Sequence, residues 1–262
     1  MQTPRRFEER HFVVTGAGSG IGRAVALRLA SEGARLSILA RGRERLDDTK
    51  HAIEQLGGAP VLALACDIRD SALVDRRFAE LAHEHGPIDA LIANAGVGGA
   101  NAPGASDRFS DVVATNLNGT YACVRAAERH LARGPRARHL VVVASILARI
   151  GVPGYTAYCA SKAALLGLVR ALAAELAPAN VQVNAVCPGW VNTDMAREGL
   201  EGMARAMGVT LDDARAVAMT QVPLGRMSEP EDVAGLVAWL VSDDARGVTG
   251  QALDMNGGAF MI

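Results

Sequence analysis

Residues 15–22 read Thr-Gly-Ala-Gly-Ser-Gly-Ile-Gly, and this stretch decides the fold class. It follows a short β-branched run and opens a segment whose apolar residues recur at helical spacing. In such a turn Gly16 permits the tight bend, Gly20 lets the backbone approach a pyrophosphate, and Gly22 lets helix and strand pack closely. The N–H groups at the start of the helix then face the phosphates. The stretch therefore predicts the first β-α-β unit of a dinucleotide-binding domain.

Outward from this turn, apolar β-branched runs alternate with amphipathic segments along the whole chain. Most runs are apolar on successive residues, which is typical of strands buried on both faces of a parallel sheet. The predicted strands are 11–15, 36–40, 60–66, 88–93, 138–144, 181–187 and 251–254. The predicted helices are 20–32, 43–56, 70–85, 110–133, 155–177 and 230–241. The alternation predicts an α/β fold, a single Rossmann-type doubly wound domain over residues 1–262.

One region, residues 192–228, breaks this alternation. It contains no strong strand pattern and five of the chain's eight methionines. Because ligands bind beyond the carboxyl ends of parallel strands, and because Met fills irregular apolar shapes, we expect a substrate-loop insertion that acts as a lid. The alternative is an ordinary surface segment whose apolar side chains pack against the domain. Thr210 with Asp213 predicts a short capped helix inside it.

Composition narrows the possible classes of function. The 262 residues include 27 basic and 28 acidic ones, for a net charge of −1, and half are hydrophobic. The balanced charge argues against an electrostatic nucleic-acid binder, and the apolar content indicates a globular chain. Four scattered cysteines and six dispersed histidines predict no metal site and a reducing compartment. The longest apolar stretch, 140–152, contains Arg149, so we expect no membrane association and a cytoplasmic location.

The end of the second predicted strand bears on the choice of nicotinamide cofactor. A site for NAD usually places an acidic residue there, against the ribose hydroxyls, but this chain has Ala40 followed by Arg41. A guanidinium can pair with a 2′-phosphate and stack on an adenine. The sequence therefore favours NADP(H) over NAD(H). A solvated loop that carries Arg41 and Arg43 is the alternative.

A second group of residues follows the fifth predicted strand. Ser145 lies at the end of that strand, and Tyr158 and Lys162 lie four residues apart on one face of the next helix. A phenol titrates near pH 10, but a neighbouring ammonium and a positive nicotinamide ring would lower that pKa. Ser145 can hydrogen-bond a carbonyl oxygen that gains charge as hydride arrives. The group predicts oxidoreduction of a ketone or alcohol, with a chance Tyr-Lys pair on an amphipathic helix as the alternative.

With these residues in place, the sequence resembles the short-chain dehydrogenase/reductase family over essentially its whole length. Two positions depart from the usual pattern: Ala93 stands where many relatives carry a second Asn, and Ser19 where some NADP-dependent relatives carry a basic residue. The motifs that carry the resemblance are residues 15–22, Asp67, Asn94-Ala95-Gly96, Asn116-Leu117-Asn118-Gly119, Ser145, Tyr158, Lys162 and Pro188-Gly189 with Thr193.

The resemblance implies an enzyme of the alcohol dehydrogenase/ketoreductase type with a seven-stranded parallel sheet and a homotetrameric assembly. It implies that Tyr158 is the general acid or base, and that Lys162 lowers the pKa of Tyr158 and binds the nicotinamide ribose. It further implies that Ser145 orients the substrate oxygen and that Asn116 completes a proton relay through a water near Lys162.

The resemblance also implies a set of cofactor-binding residues. Asp67 would contact the adenine, Asn94 would support the central strands, and Thr193 with the backbone of Val191 would hold the carboxamide. The full predicted set is Gly16, Gly18, Ser19, Gly20, Ile21, Arg41, Asp67, Ile68, Asn94, Ala95, Gly96, Tyr158, Lys162, Pro188, Gly189, Val191 and Thr193.

The predicted substrate pocket is mostly apolar, so we expect an apolar ketone or secondary alcohol. Arg149 is expected to face outward from a loop rather than to bind a substrate carboxylate. The predicted substrate residues are Ser145, Leu147, Val152, Trp190 and Met195.

Two other functions fit the same residues. One is a reductase of 3-oxoacyl thioesters on an acyl carrier protein, for which Arg125, Arg129 and Arg133 would supply a basic docking face. A solvated or interface face explains these arginines equally well. The other is a cofactor-binding sensor that has lost catalysis, which the intact catalytic set disfavours.

Overall fold

The apolar runs pair into one parallel sheet. The computed structural model describes residues 5–57 and 60–261, which leaves the ends of the predicted 1–262 domain, Ile262 included, outside the described residues. The sheet has seven strands in the order β3-β2-β1-β4-β5-β6-β7, and every neighbouring pair is parallel. The predicted Rossmann-type α/β fold is thereby confirmed. The strands are β1 His11–Thr15, β2 Arg35–Ala40, β3 Val61–Ala65, β4 Ala90–Ala93, β5 Arg138–Val143, β6 Val181–Pro188 and β7 Ala252–Met255.

Helices cover both faces of the sheet. Those outside the 192–228 region are α1 Gly20–Ser31, α2 Arg43–Gln55, α3 Ser71–His85, α4 Phe109–Val113, α5 Thr120–Glu128, α6 Thr156–Leu176 and α9 Pro230–Leu240. One core cluster joins α3, α5 and α6 to the sheet, and a second joins α1, α2 and α9 to the opposite face. Successive strand residues alternate between the two clusters, which explains why the strands read as continuous apolar runs.

The strand order places a crevice at one point of the sheet. β1 pairs with β2 on one side and with β4 on the other, so the chain changes direction across the sheet between them. In doubly wound sheets, ligands bind beyond the carboxyl ends of the strands at such a switch point. The glycine-rich turn after β1 lies at this point.

The helix predicted at 110–133 is wrong in two respects. Between α4 and α5 the backbone forms a π-helix, Ala114–Gly119, and α5 ends at Glu128. After α5 the chain turns, and Leu131 forms an isolated parallel bridge with Ile88, just before β4. π-Helical insertions often mark functional sites, and this one carries Asn116.

The 192–228 region contains no strand and two helices, α7 Asp194–Met207 and α8 Leu211–Thr220. The predicted cap is confirmed, because the Thr210 hydroxyl accepts a hydrogen bond from the backbone N–H of Asp213 at 3.2 Å. The two helices share a small apolar cluster of their own around Leu200, Ala218 and Met227. The region is thus a compact helical excursion, and its role as a lid stays a prediction.

Within the residues that the structure describes, one segment is long and apolar enough to cross a membrane by length and composition, Thr156–Ala179. It consists of α6 and the turn after it. Its residues Leu165, Val169 and Leu172 are buried against the sheet, which is the pattern of a core helix.

Candidate active site

The glycine-rich turn leaves β1 and enters α1 through tight backbone contacts. Gly16 and Gly20 have φ values of +68° and +50°, a region that side chains disfavour. A Cβ atom on Gly22 would lie 2.2 Å from the carbonyl oxygen of Gly16, so only glycine lets α1 approach the turn this closely. A Cβ atom on Gly20 would lie 3.0 Å from Thr193 Cγ2, which places the start of α7 beside the turn.

Asn94, at the end of β4, joins the two central strands. Its Nδ2 donates to the carbonyl oxygens of Thr15 and Gly16 at 3.0 and 3.2 Å. In return the Thr15 hydroxyl accepts hydrogen bonds from the backbone N–H groups of Asn94 and Ala95, both at 3.1 Å. These bonds fix the turn relative to the β4 end and hold the crevice open between them.

A cleft of about 290 Å³ lies at this switch point. Twelve of the seventeen predicted cofactor residues line it: Gly16, Gly18, Ser19, Gly20, Ile21, Arg41, Asp67, Ile68, Asn94, Ala95, Gly96 and Thr193. The remaining five, which are not among its lining residues, are Tyr158, Lys162, Pro188, Gly189 and Val191.

The cleft also has lining residues outside the predicted set. Arg45 lies in the first turn of α2, and its place at the start of the predicted helix 43–56, beside Arg41 and Arg43, is the signal that would have found it. Asp194 lies in the first turn of α7, a helix that the sequence analysis did not predict. Other such residues are Leu39, Ala40, Gly42, Cys66, Val97 and Thr115.

The donor set of the cleft fits a dinucleotide. Within the described residues no side chain caps the N-terminus of α1, so its first N–H groups are free to face phosphates. A methyl group at Gly18 would lie 3.3 Å from Arg45 Cβ and 3.5 Å from Ala40 Cβ, so the phosphate turn, the end of β2 and α2 meet at one wall. Arg41 and Arg45 lie on that wall. Ala40, at the position where NAD sites place an acidic residue, has no carboxylate.

Asp67, predicted to contact the adenine, is held by a neighbour. Arg69 donates to its carboxylate, with Nη2 to Oδ2 at 2.6 Å. The hydrogen bonds from Arg69 lower the pKa of Asp67, so the carboxylate is ionised at neutral pH. An adenine contact from Asp67 would have to share this carboxylate with the guanidinium.

Three of the four predicted catalytic side chains, those of Ser145, Tyr158 and Lys162, meet where β5 and α6 approach each other. Ser145 follows β5 and caps a short turn, and its Oγ accepts a hydrogen bond from the backbone N–H of Leu147 at 3.1 Å. Lys162 is buried, its Nζ donates to the carbonyl oxygen of Val143 at 2.8 Å, and it lies 5.7 Å from the ring centroid of Tyr158. The i, i+4 spacing on α6 thus sets phenol and ammonium side by side, as the sequence predicts.

Burial changes the acidity of both groups. Removal from water lowers the pKa of Lys162 to about 8. In the described part of the chain, no carboxylate lies close enough to offset this fall. Removal from water raises the pKa of Tyr158, and a side-chain hydrogen bond with Ser145 partly opposes the rise. The expected lowering of the phenol pKa by Lys162 is thus not found in this structure, and the lowering by a positive nicotinamide ring stays a prediction.

Asn116 connects the cleft to this group. Its Oδ1 accepts from the backbone N–H of Val97 at 2.8 Å, and its Nδ2 donates to the carbonyl of Val97 at 3.0 Å and to Ser161 Oγ at 3.1 Å. A Cβ atom on Gly96 would lie 3.1 Å from Asn116 Oδ1 and 3.5 Å from Lys162 Nζ. Gly96 lines the cleft, so cleft and catalytic group share one wall.

The predicted substrate residues lie in three places. Leu147 and Val152 lie in the turns that follow Ser145, whereas Trp190 packs with the apolar cluster of α7 and α8. Met195 lines the cleft, 42% exposed, and a Cβ atom on Gly98 would lie 2.9 Å from its Sδ. Met195 is therefore the residue of the set that the structure places at the cleft itself.

A further side chain, Tyr155, lies near α7 and Trp190. A Cβ atom on Gly199 of α7 would lie 3.6 Å from the Trp190 ring and 4.0 Å from the Tyr155 hydroxyl. The sequence analysis did not select Tyr155. Its position three residues before Tyr158, at the start of the catalytic helix, is the signal that would have found it.

The expectation that Arg149 faces outward is wrong. Its Nε and Nη2 bond the two carboxylate oxygens of Asp254 on β7, both at 3.2 Å, and Nη2 also donates to the carbonyl of Ala252 at 2.9 Å. The two side chains are 19% and 17% exposed. An opposite charge on the edge strand draws the guanidinium inward and ties the turn after Ser145 to the sheet.

Among residues 5–57 and 60–261, no group of three or more His, Cys, Asp or Glu side chains is arranged to hold a metal ion. The four cysteines are free thiols, and three of them are buried. Burial raises the pKa of Cys66 to about 11, so it is no ready nucleophile.

The chain is similar to known proteins along almost its whole length. Residues 16–259 match the family model described as enoyl-(acyl carrier protein) reductase. A putative ketoacyl reductase of Streptomyces coelicolor is 38% identical over 251 residues, covering 94% of this chain and 95% of the relative. The 3-oxoacyl-[acyl-carrier-protein] reductase FabG of Escherichia coli is 33% identical over 258 residues, covering 98% and 99%. The solved structure of an actinorhodin polyketide ketoreductase with NADPH superposes with a TM-score of 0.89 at 35% identity, covering 99% of each chain.

Proposed function

The chain belongs to the short-chain dehydrogenase/reductase family, and from that premise we propose that it transfers hydride between NADP(H) and an apolar ketone or secondary alcohol. It is an NAD(P)-dependent oxidoreductase that acts on a ketone or the corresponding CH–OH group. The observation that carries the proposal is the convergence of Ser145, Tyr158 and Lys162 beside a dinucleotide cleft.

The nicotinamide ring, when bound, supplies hydride to the carbonyl carbon or takes it from the alcohol carbon. In the reductive direction the Tyr158 phenol donates its proton to the carbonyl oxygen, and in the oxidative direction the phenolate takes the proton back. Ser145 donates a hydrogen bond to the same oxygen while charge accumulates there. Support for both roles comes from the proximity of Ser145 to Tyr158, which partly opposes the rise in the phenol pKa that burial causes.

Lys162 stabilises the charged form of Tyr158 and contacts the nicotinamide ribose. Its ammonium is buried next to the phenol ring and fixed by one backbone carbonyl, which leaves further N–H donors for a ribose or a water. Asn116 positions that end of the cleft through its bonds to Val97. We assign it the relay role, in which a water between Asn116 and Lys162 passes the proton toward solvent.

Residues at the adenosine end support a preference for NADP(H) over NAD(H). Arg41 lines the cleft at the end of β2, and Arg45 adds a second guanidinium to the same wall. Ala40 offers no carboxylate to the ribose hydroxyls. Two guanidiniums and no acid favour a 2′-phosphate over a free hydroxyl. The polyketide ketoreductase with NADPH shares this fold.

The substrate region that we propose comprises Leu147, Val152, Trp190 and Met195, with residues 192–228 as the lid. Its apolar side chains favour an apolar ketone or alcohol. A second candidate substrate is a 3-oxoacyl thioester, which the names of the ketoacyl reductase relatives favour.

The basic face suggested for carrier-protein docking is largely neutralised. Arg125 pairs with Glu128 at 2.8 Å and with Glu175 at 2.9 Å, and Arg129 pairs with Asp75. Paired arginines present less free positive charge to an acidic carrier protein. This favours a free small-molecule ketone over a carrier-bound thioester.

We also propose a cytoplasmic homotetramer with no nucleic-acid or membrane partner. Leu224 and Met261, near the C-terminal strand, are 69% and 73% exposed, an apolar surface that a second copy would cover. Light scattering is expected to give about four times the 27.3 kDa chain mass. A mass near 27.3 kDa would contradict the assembly.

A ketone panel assayed with both cofactors tests the proposed function. We expect oxidation of NADPH with cyclic and aryl ketones, a higher kcat/KM for NADPH than for NADH, and weaker turnover of acetoacetyl thioesters. A higher kcat/KM for NADH would overturn the cofactor preference. Turnover of acetoacetyl thioesters alone would replace the ketone proposal with the thioester one.

A further inference from the structure

One ion pair crosses the mouth of the cofactor cleft. Arg45 Nη1, on α2, lies 3.4 Å from Asp194 Oδ2, in the first turn of α7. The two residues are 149 positions apart in the chain, and both line the cleft. The pair therefore bridges the adenosine wall of the cleft and the helical excursion beyond β6.

The backbone on either side of Asp194 holds it in this position. Thr193 caps α7 through a hydrogen bond from Ala196, and its methyl group lies against Gly20 of the phosphate turn. Met195 lies against Gly98, the residue after the cleft-lining Val97. Residues 193–195 thus contact the phosphate turn, α2 and Gly98 in succession, and the carboxylate of Asp194 is directed at α2.

Arg45 is also placed to meet a 2′-phosphate. Its Cβ lies beside Gly18 and Ala40, at the point where the end of β2 meets the phosphate turn. In dinucleotide sites this is where the adenosine ribose and its 2′ substituent are recognised. One guanidinium thus faces two competing anions, the carboxylate of this chain and the phosphate of the cofactor.

We propose that Asp194 is a specificity-determining residue that competes with the 2′-phosphate of NADP(H) for Arg45. Binding of NADP(H) transfers Arg45 from the Asp194 carboxylate to the phosphate, whereas NAD(H) leaves the pair in place. The pair is well suited to such an exchange, because both side chains are mostly exposed, at 66% and 72%, and exposed pairs are weak. A phosphate carries more charge than a carboxylate and displaces it.

The inference rests on the proposed preference for NADP(H), and it makes a separate prediction about affinity. Asp194→Asn removes the competing charge, so the Kd of NADPH is expected to fall about two- to fivefold, the size of an exposed ion pair. The Kd of NADH is expected to stay the same. Calorimetric titration of the cofactors, without substrate, measures both values independently of turnover.

The matched control is Asp212→Asn, which makes the same change in the first turn of α8, away from the cleft. It is expected to leave both Kd values unchanged. Arg45→Gln is expected to weaken NADPH binding, and in that background Asp194→Asn is expected to give no gain. In about 1 M salt, where exposed charges are screened, the gain from Asp194→Asn should shrink.

The outcomes separate this inference from the proposed function. A wild-type protein that binds NADH more tightly overturns the proposed cofactor preference, whatever the variants do. An equal change in both Kd values on Asp194→Asn, no change in either, or a gain that persists with Arg45→Gln overturns the competition between Asp194 and the phosphate.

Discussion

At the scale of single residues, Lys162 combines requirements that few side chains meet. Its ammonium is buried, fixed by the carbonyl of Val143 at 2.8 Å, and close to the Tyr158 ring. A Cβ atom on Gly96 would lie only 3.5 Å from it, so the space around the nitrogen is narrow. A planar guanidinium is larger and presents its donors in a fixed fork. Arginine therefore fits this position poorly, although 25 of the 27 basic residues of the chain are arginines.

Lys162→Arg is accordingly expected to lower kcat/KM about 100-fold or more, the scale of a disturbed general acid. The control is the other lysine of the chain. Lys50, on α2, is part-exposed and pairs with Glu54 at 3.8 Å. Lys50→Arg keeps that charge and is expected to leave kcat/KM unchanged. Equal tolerance of arginine at both positions would contradict the role of the compact ammonium.

At the scale of elements, local sequence determined most of the strands and helices, and tertiary contacts determined the exceptions. The strands are apolar runs whose first and last residues can be recognised from the local sequence. Their predicted bounds therefore agree with the structure within two residues. The π-helix is different, because Asn116 bonds to Val97, 19 positions away. The start of α7 depends instead on a local cap, in which Thr193 accepts from the N–H of Ala196, but the sequence analysis assigned Thr193 to the carboxamide. Neither contact leaves a periodic signal in the sequence.

The packing of α1 on the glycine-rich turn gives a prediction at this scale. Gly22→Ala would place Cβ 2.2 Å from the Gly16 carbonyl oxygen, which forces the turn and the helix apart. We expect a loss of about 1–3 kcal/mol in the free energy of unfolding, together with weaker cofactor binding. Chemical denaturation and cofactor titration measure the two effects.

Gly167→Ala is the matched substitution on α6. No atom lies within 4 Å of a Cβ at Gly167, and the position is helical. Alanine there is expected to stabilise the protein by about 0.5–1 kcal/mol. If both substitutions had the same effect on stability, the close approach at Gly22 would not be what requires glycine.

At the scale of the whole molecule, two buried histidines at the beginnings of β1 and β5, the end of the sheet opposite the cleft, make the stability of the fold sensitive to acid. Burial lowers the pKa of His11 to about 4 and that of His139 to about 3, from an ordinary value of 6.5. His11 bonds to Gly86 and Ser37, and Arg35 and His85 oppose its protonation. Because these depressed values belong to the folded state, the unfolded chain binds more protons below pH 6.5.

Stability should therefore be full above about pH 6.5 and fall as the pH drops toward 4, by about 1.4 kcal/mol per pH unit for each of the two histidines. Urea unfolding at several pH values measures this slope. His139→Leu is expected to remove about half of it, and His51→Gln, on the exposed face of α2, none. A free energy of unfolding that is constant between pH 7 and 5 would contradict the prediction.

The candidate site could be predicted from sequence to the extent that it is built from local motifs. The glycine turn and the Tyr158–Lys162 pair are short-range patterns, and the structure places them where the patterns imply. Long-range pairs could not be predicted. Arg149 with Asp254 and Arg45 with Asp194 are separated by more than a hundred residues, and only the folded sheet brings them together.

The central claim is that this fold performs carbonyl reduction through the Tyr158 phenol. The most direct measurement compares wild type with Tyr158→Phe, following NADPH oxidation with the best ketone of a panel and NADPH binding by titration. The phenol oxygen supplies the transferred proton, so the variant is expected to lose at least about 1,000-fold in kcat and to keep its Kd for NADPH nearly unchanged. Turnover by Tyr158→Phe at the wild-type rate would contradict the account.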